Sequence, residues 1–392
     1  MTLLKDIAQI EKGRKYNLLE ENQEGAIRVF QANDFRNENK PLYTLDDDGV
    51  LAQEDDIMMV WDGSVGQMGF GRSGYVGSTM VKLKVKNKKQ FSPFFIYRFL
   101  QTKSEYLKRK ATGATIMHIN RKSLEQLIIP ELDLSDQLHI ANLLSKAENL
   151  ISQRKESIRL LDDFLKSTFL EMFGDIQKMK EMKSENFSDH IEFLTSGSRG
   201  WAKYYSNTGA KFLRIQNVWK GALRIDELQY VNAPKTQEAI RTKVQEGDLL
   251  ITITADLGRT AVVPKNFGEA YINQHIALVR LKKSVNPTYA AFYFFMPFGY
   301  SAIQKKNKSA VKSGLTFNDI KTLPIIVPPI KLQIQFAQIV EKTEALKIQY
   351  KQSLQELENL YGSLSQRAFR GELSIKDESL LMAAEPETKY GE

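Results

Sequence analysis

Two stretches of the chain carry apolar residues at steps that alternate between three and four. In the first stretch, 134 to 173, these positions are Leu144, Ala147, Ile151, Arg154, Ile158, Leu161, Leu165, Thr168 and Met172, and only Arg154 and Thr168 among them are polar. In the second stretch, 333 to 369, they are Val340, Thr343, Lys347, Tyr350, Leu354, Leu357, Tyr361, Leu364 and Ala368, again mostly apolar but with a polar break at Lys347. This rhythm is typical of a helix that packs along another helix. A helix of the 37 residues from 137 to 173, or from 333 to 369, would be a rod of roughly 55 Å. The pattern therefore predicts two long helices that pack on each other.

The two stretches are copies of one another, and the segments before them repeat as well. A shift of 196 (337 − 141) aligns the helices without a gap from residue 137 to residue 173. In the preceding segments, Asn33-Asp34-Phe35 matches Asn217-Val218-Trp219 at a shift of 184 (217 − 33). Asp56 matches Asp248 at 192 (248 − 56). The growing shift indicates that the second copy carries extra loop residues.

Alternation of apolar and polar residues predicts strands within the first segment. Residues 27–30 and 56–61 are mainly apolar, and 80–86 alternates between apolar and basic side chains. A helical pattern follows from Ser92-Pro93. We therefore predict an α+β fold with a pseudo-two-fold internal repeat, in which two similar α/β domains are separated by two long helices packed as an antiparallel coiled coil. The predicted boundaries are 1–133, 134–178 (first long helix), 179–332, 333–373 (second long helix) and 374–392 (polar tail).

Composition narrows the chemistry that is available. The 392 residues include no cysteine, which excludes disulfides, thiolate metal sites and cysteine nucleophiles. No stretch resembles a signal peptide or reaches the roughly 18 apolar residues of a membrane span, so we expect a cytoplasmic protein without a membrane partner. Lysine and arginine total 55 against 47 acidic residues, a net charge of +8. This excess suggests a polyanionic partner without identifying it.

The order of parts resembles that of a known family. The resemblance rests on the segments that lead into and end the long helices, which are Leu127-Ile128-Ile129-Pro130, Leu323-Pro324-Ile325-Ile326-Val327-Pro328-Pro329, Glu171-Met172-Phe173-Gly174-Asp175 and Gln366-Arg367-Ala368-Phe369-Arg370-Gly371-Glu372-Leu373. With their duplication, these segments make the chain similar to a type I restriction-modification specificity (S) subunit. The resemblance covers about residues 2 to 375.

That resemblance implies a function and a set of partners. It implies two target-recognition domains, each reading one half of a bipartite, asymmetric site in double-stranded DNA. It further implies two modification (methyltransferase) subunits and two restriction subunits, which are ATP-dependent translocases and nucleases. The chain would be non-catalytic and would bind no cofactor directly, with S-adenosylmethionine expected on the modification subunits.

Two other classes of function stay open at this stage. One is a coiled-coil protein-interaction scaffold without sequence-specific DNA binding. The other is a self-sufficient methyltransferase or nuclease, for which the only hint is Asn286-Pro287-Thr288-Tyr289, one residue away from the N-P-P-Y motif of amino-methyltransferases. No acidic, glycine-rich loop precedes it, and a proline-initiated helix start is the favoured interpretation. The sequence has no phosphate-binding P-loop, and its four histidines lack metal-ligand spacing.

Polar loops of both domains contain the residue types that read DNA. Lysine and arginine neutralise phosphates, while amides, hydroxyls, arginine and aspartate distinguish base edges. In the first domain the candidates are Asn33, Arg36, Asn37, Ser64, Gln67, Arg72, Asn120, Arg121 and Lys122. In the second they are Asn217, Lys220, Thr254, Asp256, Arg259, Asn273, Lys308, Lys312 and Asn318. For each of them a turn cap or a solvated side chain is the alternative. Trp219 is an aromatic residue in a loop. It could stack on DNA or lie at the buried edge of the domain core.

Overall fold

The computed structural model describes residues 2–35, 40–174, 181–307 and 314–373. The chain divides into two compact units. Unit 1 comprises Met1–Lys155 and Gln352–Glu392, and unit 2 comprises Glu156–Lys351. Each unit therefore contains one globular domain and a part of each long helix.

Two four-stranded sheets form the globular domain of unit 1. The first is antiparallel and has the strand order Ala8–Lys12, Met80–Val85, Ile57–Val60 and Met68–Gly69. The second has the order Leu42–Thr44, Ile27–Phe30, Gly74–Val76 and Leu51–Ala52, and the pair in its middle is parallel. Ile57–Val60 is fully buried because both of its faces are covered. Lys82 and Lys84 alternate with buried residues of their strand, as the sequence pattern predicts.

Short helices complete this domain. They are Leu4–Ile7, Pro93–Thr102, Ser104–Lys110 and Arg121–Glu125, with a 3₁₀ turn at Ala32–Phe35 and a small pair of strands, Thr2–Leu3 and Ile128–Ile129. Ser92 caps the helix that follows it, since its hydroxyl accepts from the Phe95 backbone N–H at 3.4 Å. Phe95 and Phe99 of that helix are buried in the core of the unit.

Unit 2 repeats the same plan with additions. Its antiparallel sheet has the order Ile191–Ser196, Ile276–Leu281, Leu249–Thr252 and Thr260–Val262. Its second sheet has the order Tyr205–Ser206, Gln229–Val231, Ala210–Leu213 and Ala270–Ile272, and the last two are parallel. Two further strand pairs are Glu185–Asn186 with Pro324–Ile325, and Val218–Trp219 with Ala222–Leu223. The helices are Gln237–Thr242, Pro287–Phe295, Pro297–Lys306 and Phe317–Lys321, with 3₁₀ turns at Phe187–His190, Trp201–Tyr204 and Ile215–Asn217.

Strand register corrects one detail of the sequence alignment. Val29 pairs with Tyr75 in the first domain, and Phe212 pairs with Tyr271 in the second. The shift at this point is therefore 183 (212 − 29), so Asn217 is equivalent to Asp34 and not to Asn33. Both side chains accept a hydrogen bond from the backbone N–H three residues earlier, at 2.6 Å for Asp34 and 2.9 Å for Asn217. Either an aspartate or an asparagine can supply that acceptor oxygen. Matching identical residues therefore aligned Asn217 with Asn33, one position away from its structural equivalent Asp34.

The two long helices confirm the predicted coiled coil. They run from Leu134 to Phe173 and from Ile330 to Phe369. In unit 1 the Tyr361 hydroxyl donates to Glu148 at 2.9 Å, and Lys155 pairs with Glu358 at 2.8 Å, so the helices are antiparallel. Leu144, Leu165, Val340 and Leu364 are buried, whereas Ile151, Ile158, Leu161, Leu354, Leu357 and Tyr361 are half-buried along the same stripe.

The second helix begins three residues earlier than predicted, at Ile330 rather than 333. Its start follows directly from Pro329, whose carbonyl accepts from the N–H groups of Leu332 and Gln333. No helix within the described ranges combines the length and the apolar character that crossing a bilayer requires.

A buried glutamine attaches each long helix to its domain in the same way. Gln137 and Gln333 are both 0% exposed. The Gln137 side-chain oxygen accepts from the Ser92 backbone N–H at 2.9 Å, and the Gln333 oxygen accepts from the Asn286 N–H at 2.8 Å. Ser92 and Asn286 each cap the helix that follows. The repeat therefore extends to individual hydrogen bonds.

Candidate nucleic-acid interface

The loop that follows the central strand has the same backbone path in both domains. The Val60 N–H donates to the Gln67 carbonyl at 2.8 Å, and the Thr252 N–H donates to the Arg259 carbonyl at 2.9 Å. Gln67 and Arg259 therefore occupy equivalent positions at a shift of 192 (259 − 67), and the same shift makes Ser64 equivalent to Asp256. One backbone thus presents different polar side chains in the two domains.

A glycine fixes the turn of this loop in each domain. Gly66 and Gly258 have φ angles of 83° and 82°, which a residue with a Cβ rarely adopts. A Cβ on Gly66 would lie 2.8 Å from the Ser104 hydroxyl, and one on Gly258 would lie 3.0 Å from the Ile303 side chain. The loop is therefore held closely against the helices of its own domain.

In unit 1 a charged cluster lies beside this loop. Asp62 accepts from the Lys12 ammonium at 2.6 Å and contacts the His118 Nδ1 at 2.7 Å. Partial burial raises the pKa of Asp62, but the hydrogen bonds from Lys12 and His118 outweigh it and leave the pKa below its usual value. Lys12 also lies 5.8 Å from the centre of the Trp61 ring. The cluster is partly exposed, and Lys12 is its cationic residue.

An open cavity of about 240 Å³ adjoins the same loop. Its lining consists of Gly63, Ser64, Val65, Gln67, Lys108, Ala111 and Met117. Within the described part of the chain, the Gln67 side-chain oxygen is buried and has no hydrogen-bond partner. Ser64 and Gln67, which the sequence indicated as candidates, therefore line the same concave surface.

In unit 2 an aromatic and cationic cluster lies beside the equivalent loop and includes two of its residues, Asp256 and Arg259. The guanidinium carbons of Arg224 and Arg259 lie 4.2 Å and 4.3 Å from the centre of the Trp219 ring, and the Lys220 ammonium lies at 5.6 Å. Asp256 forms an ion pair with Arg259. Three cations and one carboxylate give this cluster a net positive charge. A net positive charge of this kind suits a polyanionic partner.

Polar residues next to this cluster are linked by hydrogen bonds. The Thr254 hydroxyl contacts the His275 Nδ1, and the Gln274 amide nitrogen lies 2.7 Å from the His275 Nε2. Asn273 is 9% exposed, and its side-chain oxygen accepts from the His275 backbone N–H at 3.1 Å. Asn273 therefore positions His275, whereas Thr254, Gln274 and His275 are half-buried.

Two predicted residues serve the fold through caps and turns. Asn217 is 1% exposed, and its amide nitrogen donates to the carbonyls of Arg224 and Glu227. Asn120 caps the helix Arg121–Glu125 by accepting from the Ser123 N–H at 3.0 Å. We therefore leave both out of the proposed DNA-reading set.

The remaining candidates differ in exposure. Arg121 is exposed and donates to Glu125 at 2.7 Å, and the Arg72 guanidinium lies 5.7 Å from the Phe35 ring. Asn33, Arg72, Lys122 and Asn318 are exposed. Arg36, Asn37, Lys308 and Lys312 lie outside the described residues. Sequence reasoning missed Lys12, Asp62 and Arg224, although the Lys220-Gly221 turn between apolar pairs was a signal for the hairpin that precedes Arg224.

The Asn286-Pro287-Thr288-Tyr289 segment begins a helix. The Asn286 side chain accepts from the N–H groups of Thr288 and Tyr289, and Pro287 occupies the first helical position. Tyr289 is fully buried and its hydroxyl donates to the Ile326 carbonyl at 2.8 Å. Over the described ranges, no group of three or more histidine, aspartate or glutamate side chains is placed to hold a metal ion.

Comparison with known proteins assigns this arrangement to a family. Residues 2–160 and 199–359 match the model of the type I restriction modification DNA specificity domain. The chain belongs to this family. Its two matched regions correspond to the two copies of the repeat.

Individual relatives carry the same description. The chain is 26% identical over 217 residues to the type I restriction enzyme MjaVIII specificity subunit of Methanocaldococcus jannaschii. The aligned region covers 52% of this chain and 51% of that protein. It is 25% identical over 309 residues to the EcoKI specificity subunit of Escherichia coli K12, covering 72% of this chain and 66% of that protein. The match thus spans about half of the archaeal relative. The crystal structure of the S subunit from M. genitalium superimposes with a TM-score of 0.60 at 18% identity, covering 94% of this chain and 95% of that one, which shows the same fold.

Proposed function

We propose that the chain is the DNA-binding specificity subunit of a type I restriction-modification complex, in which each globular domain reads one half of a bipartite, asymmetric site. The observation that carries this proposal is the pair of equivalent loops with different side chains. Gln67 in one domain replaces Arg259 in the other, and Ser64 replaces Asp256. Because amides and guanidinium groups prefer different base edges, one scaffold would read two different half-sites.

Affinity in this proposal comes from cations around the loops, and specificity from their polar tips. Lys12 in unit 1 and Lys220 in unit 2 lie beside the loops and suit phosphate contacts, which carry no sequence information. Gln67 and Arg259 lie on the loops themselves, and their amide and guanidinium groups are of the types that read base edges. Binding should therefore weaken steeply as salt concentration rises.

The long helices have two proposed tasks. They set the spacing between the half-sites, and they dock two identical modification subunits. Support for docking comes from exposed apolar residues at equivalent positions of the two copies, at a shift of 196 (334 − 138). Leu138 and Ile334 are 45% and 44% exposed, and Phe164 and Leu360 are 50% and 41% exposed. Equivalent exposed patches suit two copies of one partner.

The chemistry is proposed to reside in these partners. The modification subunits would supply S-adenosylmethionine and methyl transfer, and two restriction subunits would supply ATP-driven translocation and cleavage. This chain would contribute the choice of sequence. The Asn286 cap and the buried Tyr289 give the segment 286–289 a role as a helix start.

A protein-interaction scaffold without sequence-specific DNA binding is the second candidate. The same exposed apolar residues on the long helices favour it, because they suit partner proteins whether or not DNA is bound. The two candidates differ in what the globular domains do. Only the specificity subunit needs base-reading loops.

Selection from a random duplex library separates these candidates. The full chain with its modification subunit is incubated with the library at several salt concentrations, and bound duplexes are sequenced. The proposal predicts a motif of two short blocks with an unspecified spacer, and affinity that falls with salt. Binding to all duplexes alike, or to none, would favour the scaffold. Titration of the isolated chain with S-adenosylmethionine should show no binding, whereas tight binding would support the self-sufficient methyltransferase.

A further inference from the structure

A rigid hairpin in unit 2 carries the aromatic residue of the cationic cluster. Trp219 pairs with Ala222 across the two-residue turn Lys220-Gly221, whose φ angles are 47° and 85°. Positive φ at both positions makes this a type I′ turn, the tightest common hairpin connection. The loop that contains it, 214–228, is four residues longer than its counterpart 31–41 between equivalent strands of the first domain.

This hairpin is fixed to the core of the domain. The Gly221 N–H donates to the Thr260 carbonyl at 2.8 Å. A Cβ on Gly221 would lie 2.8 Å from the Phe292 ring, so the turn is pressed against the helix Pro287–Phe295. The base of the loop is closed by the buried Asn217, which binds the Arg224 carbonyl at 2.9 Å. Trp219 and Arg224 therefore lie on a loop whose backbone is already fixed before a ligand binds.

The two arginines on the Trp219 ring have different surroundings. The Arg259 side chain is 25% exposed and its guanidinium is occupied by Asp256. Arg224 is exposed, and among the described residues its guanidinium has the Trp219 ring as its contact. Stacking on an aromatic face fixes the plane of a guanidinium while leaving its N–H edge available. Arg224 thus combines an exposed guanidinium with an aromatic partner that limits its orientation.

We infer that Arg224 reads a guanine in the half-site of the second domain, with Trp219 as its positioning residue. This inference rests on the proposed function and names one base of its target. Paired arginine donors match the O6 and N7 acceptors of guanine in the major groove, which is the commonest specific protein–DNA contact. Lys220, on the same turn, contacts the adjacent phosphate. A phosphate contact alone would not require the guanidinium plane to be fixed.

The test is a motif comparison between wild type and Arg224→Gln in the full complex. Library selection with the wild-type chain should give a second block that contains a guanine. In R224Q the preference for guanine at that single position should fall roughly fivefold or more, with the other positions unchanged. Trp219→Leu should lose the same preference, and Trp219→Phe, which keeps an aromatic face, should retain most of it. Arg370→Gln removes the same charge from an exposed arginine of unit 1 and should leave the motif intact.

Each outcome decides a separate question. If the wild-type chain selects no motif, the proposed function fails before Arg224 is tested. If the wild-type motif appears but R224Q weakens binding to cognate and scrambled duplexes equally, Arg224 contacts phosphate and the inference is wrong. An unchanged motif in R224Q also overturns it. Circular dichroism melting of R224Q and R370Q should match wild type, because both side chains are exposed.

Discussion

Replacement of Gln137 by leucine should destabilise unit 1 strongly. Its amide joins three backbone groups, accepting from the Ser92 N–H at 2.9 Å and donating to the Gln90 and Leu132 carbonyls at 2.8 Å and 2.9 Å. Leucine fills a similar volume but leaves the buried Ser92 N–H without that acceptor and the two part-buried carbonyls without that donor. At the lower end of the usual cost, about 1 kcal/mol for each group, the free energy of unfolding should fall by about 3 kcal/mol. Gln333→Leu should act alike in unit 2.

Urea unfolding followed by tryptophan fluorescence measures this change. Trp61 is the tryptophan of unit 1, so a background in which Trp201 and Trp219 are replaced by phenylalanine reports on that unit. Gln366→Leu is the matched control, because Gln366 is exposed on the second long helix of the same unit. Equal losses in the Gln137 and Gln366 variants would refute the argument that buried amide bonds attach the helix to its domain.

Three further predictions concern spacing, charge and pH. Insertion of four residues near Ser157 adds about 6 Å of helix and roughly preserves the apolar stripe. Since one base pair rises about 3.4 Å, the spacer of the methylation motif should lengthen by about one or two base pairs. A two-residue insertion turns the stripe by about 200° and should lower methylation activity. Replacing Arg121 and Lys122 by glutamine should weaken binding to cognate and random duplex alike and flatten the salt slope by about one unit per lost phosphate contact, whereas a loss confined to cognate DNA would make them base readers. The pKa of Asp62 in the folded state lies below its unfolded value of 3.8. Ionised Asp62 therefore stabilises the fold above pH 3.8, and this stabilisation is lost as pH falls through the folded pKa. The stability difference between wild type and Asp62→Asn should therefore stay level above about pH 5 and shrink as pH falls through 3.8 toward the folded pKa. A difference that grows on acidification would contradict this.

The long helices could be predicted from sequence because their signal is local and repeated. The apolar period extends over ten turns or so, and two copies aligned without a gap report the same constraint twice. The strand predicted near residues 80–86 is confirmed as Met80–Val85, because its signal is also local: buried residues alternate there with Lys82 and Lys84.

The binding surface was less predictable because it depends on contacts between distant residues. Lys12 and His118 lie 50 and 56 positions from Asp62 in sequence, and no periodic pattern links them. Asn217 has the residue type of a base reader, yet its geometry is that of a buried turn acceptor, a role Asp34 fills in the other copy. Residue type alone does not distinguish these two roles.

Exchange of the first globular domain tests the central claim most directly. Residues 1–133 are replaced by the corresponding domain of another specificity subunit, and modified adenines are mapped in cells that carry the chimaera with its modification subunits. Independent reading by two domains predicts that one half of the methylated motif changes while the other half and the spacer stay as they were. A change in both halves together would show that the two domains do not read DNA independently.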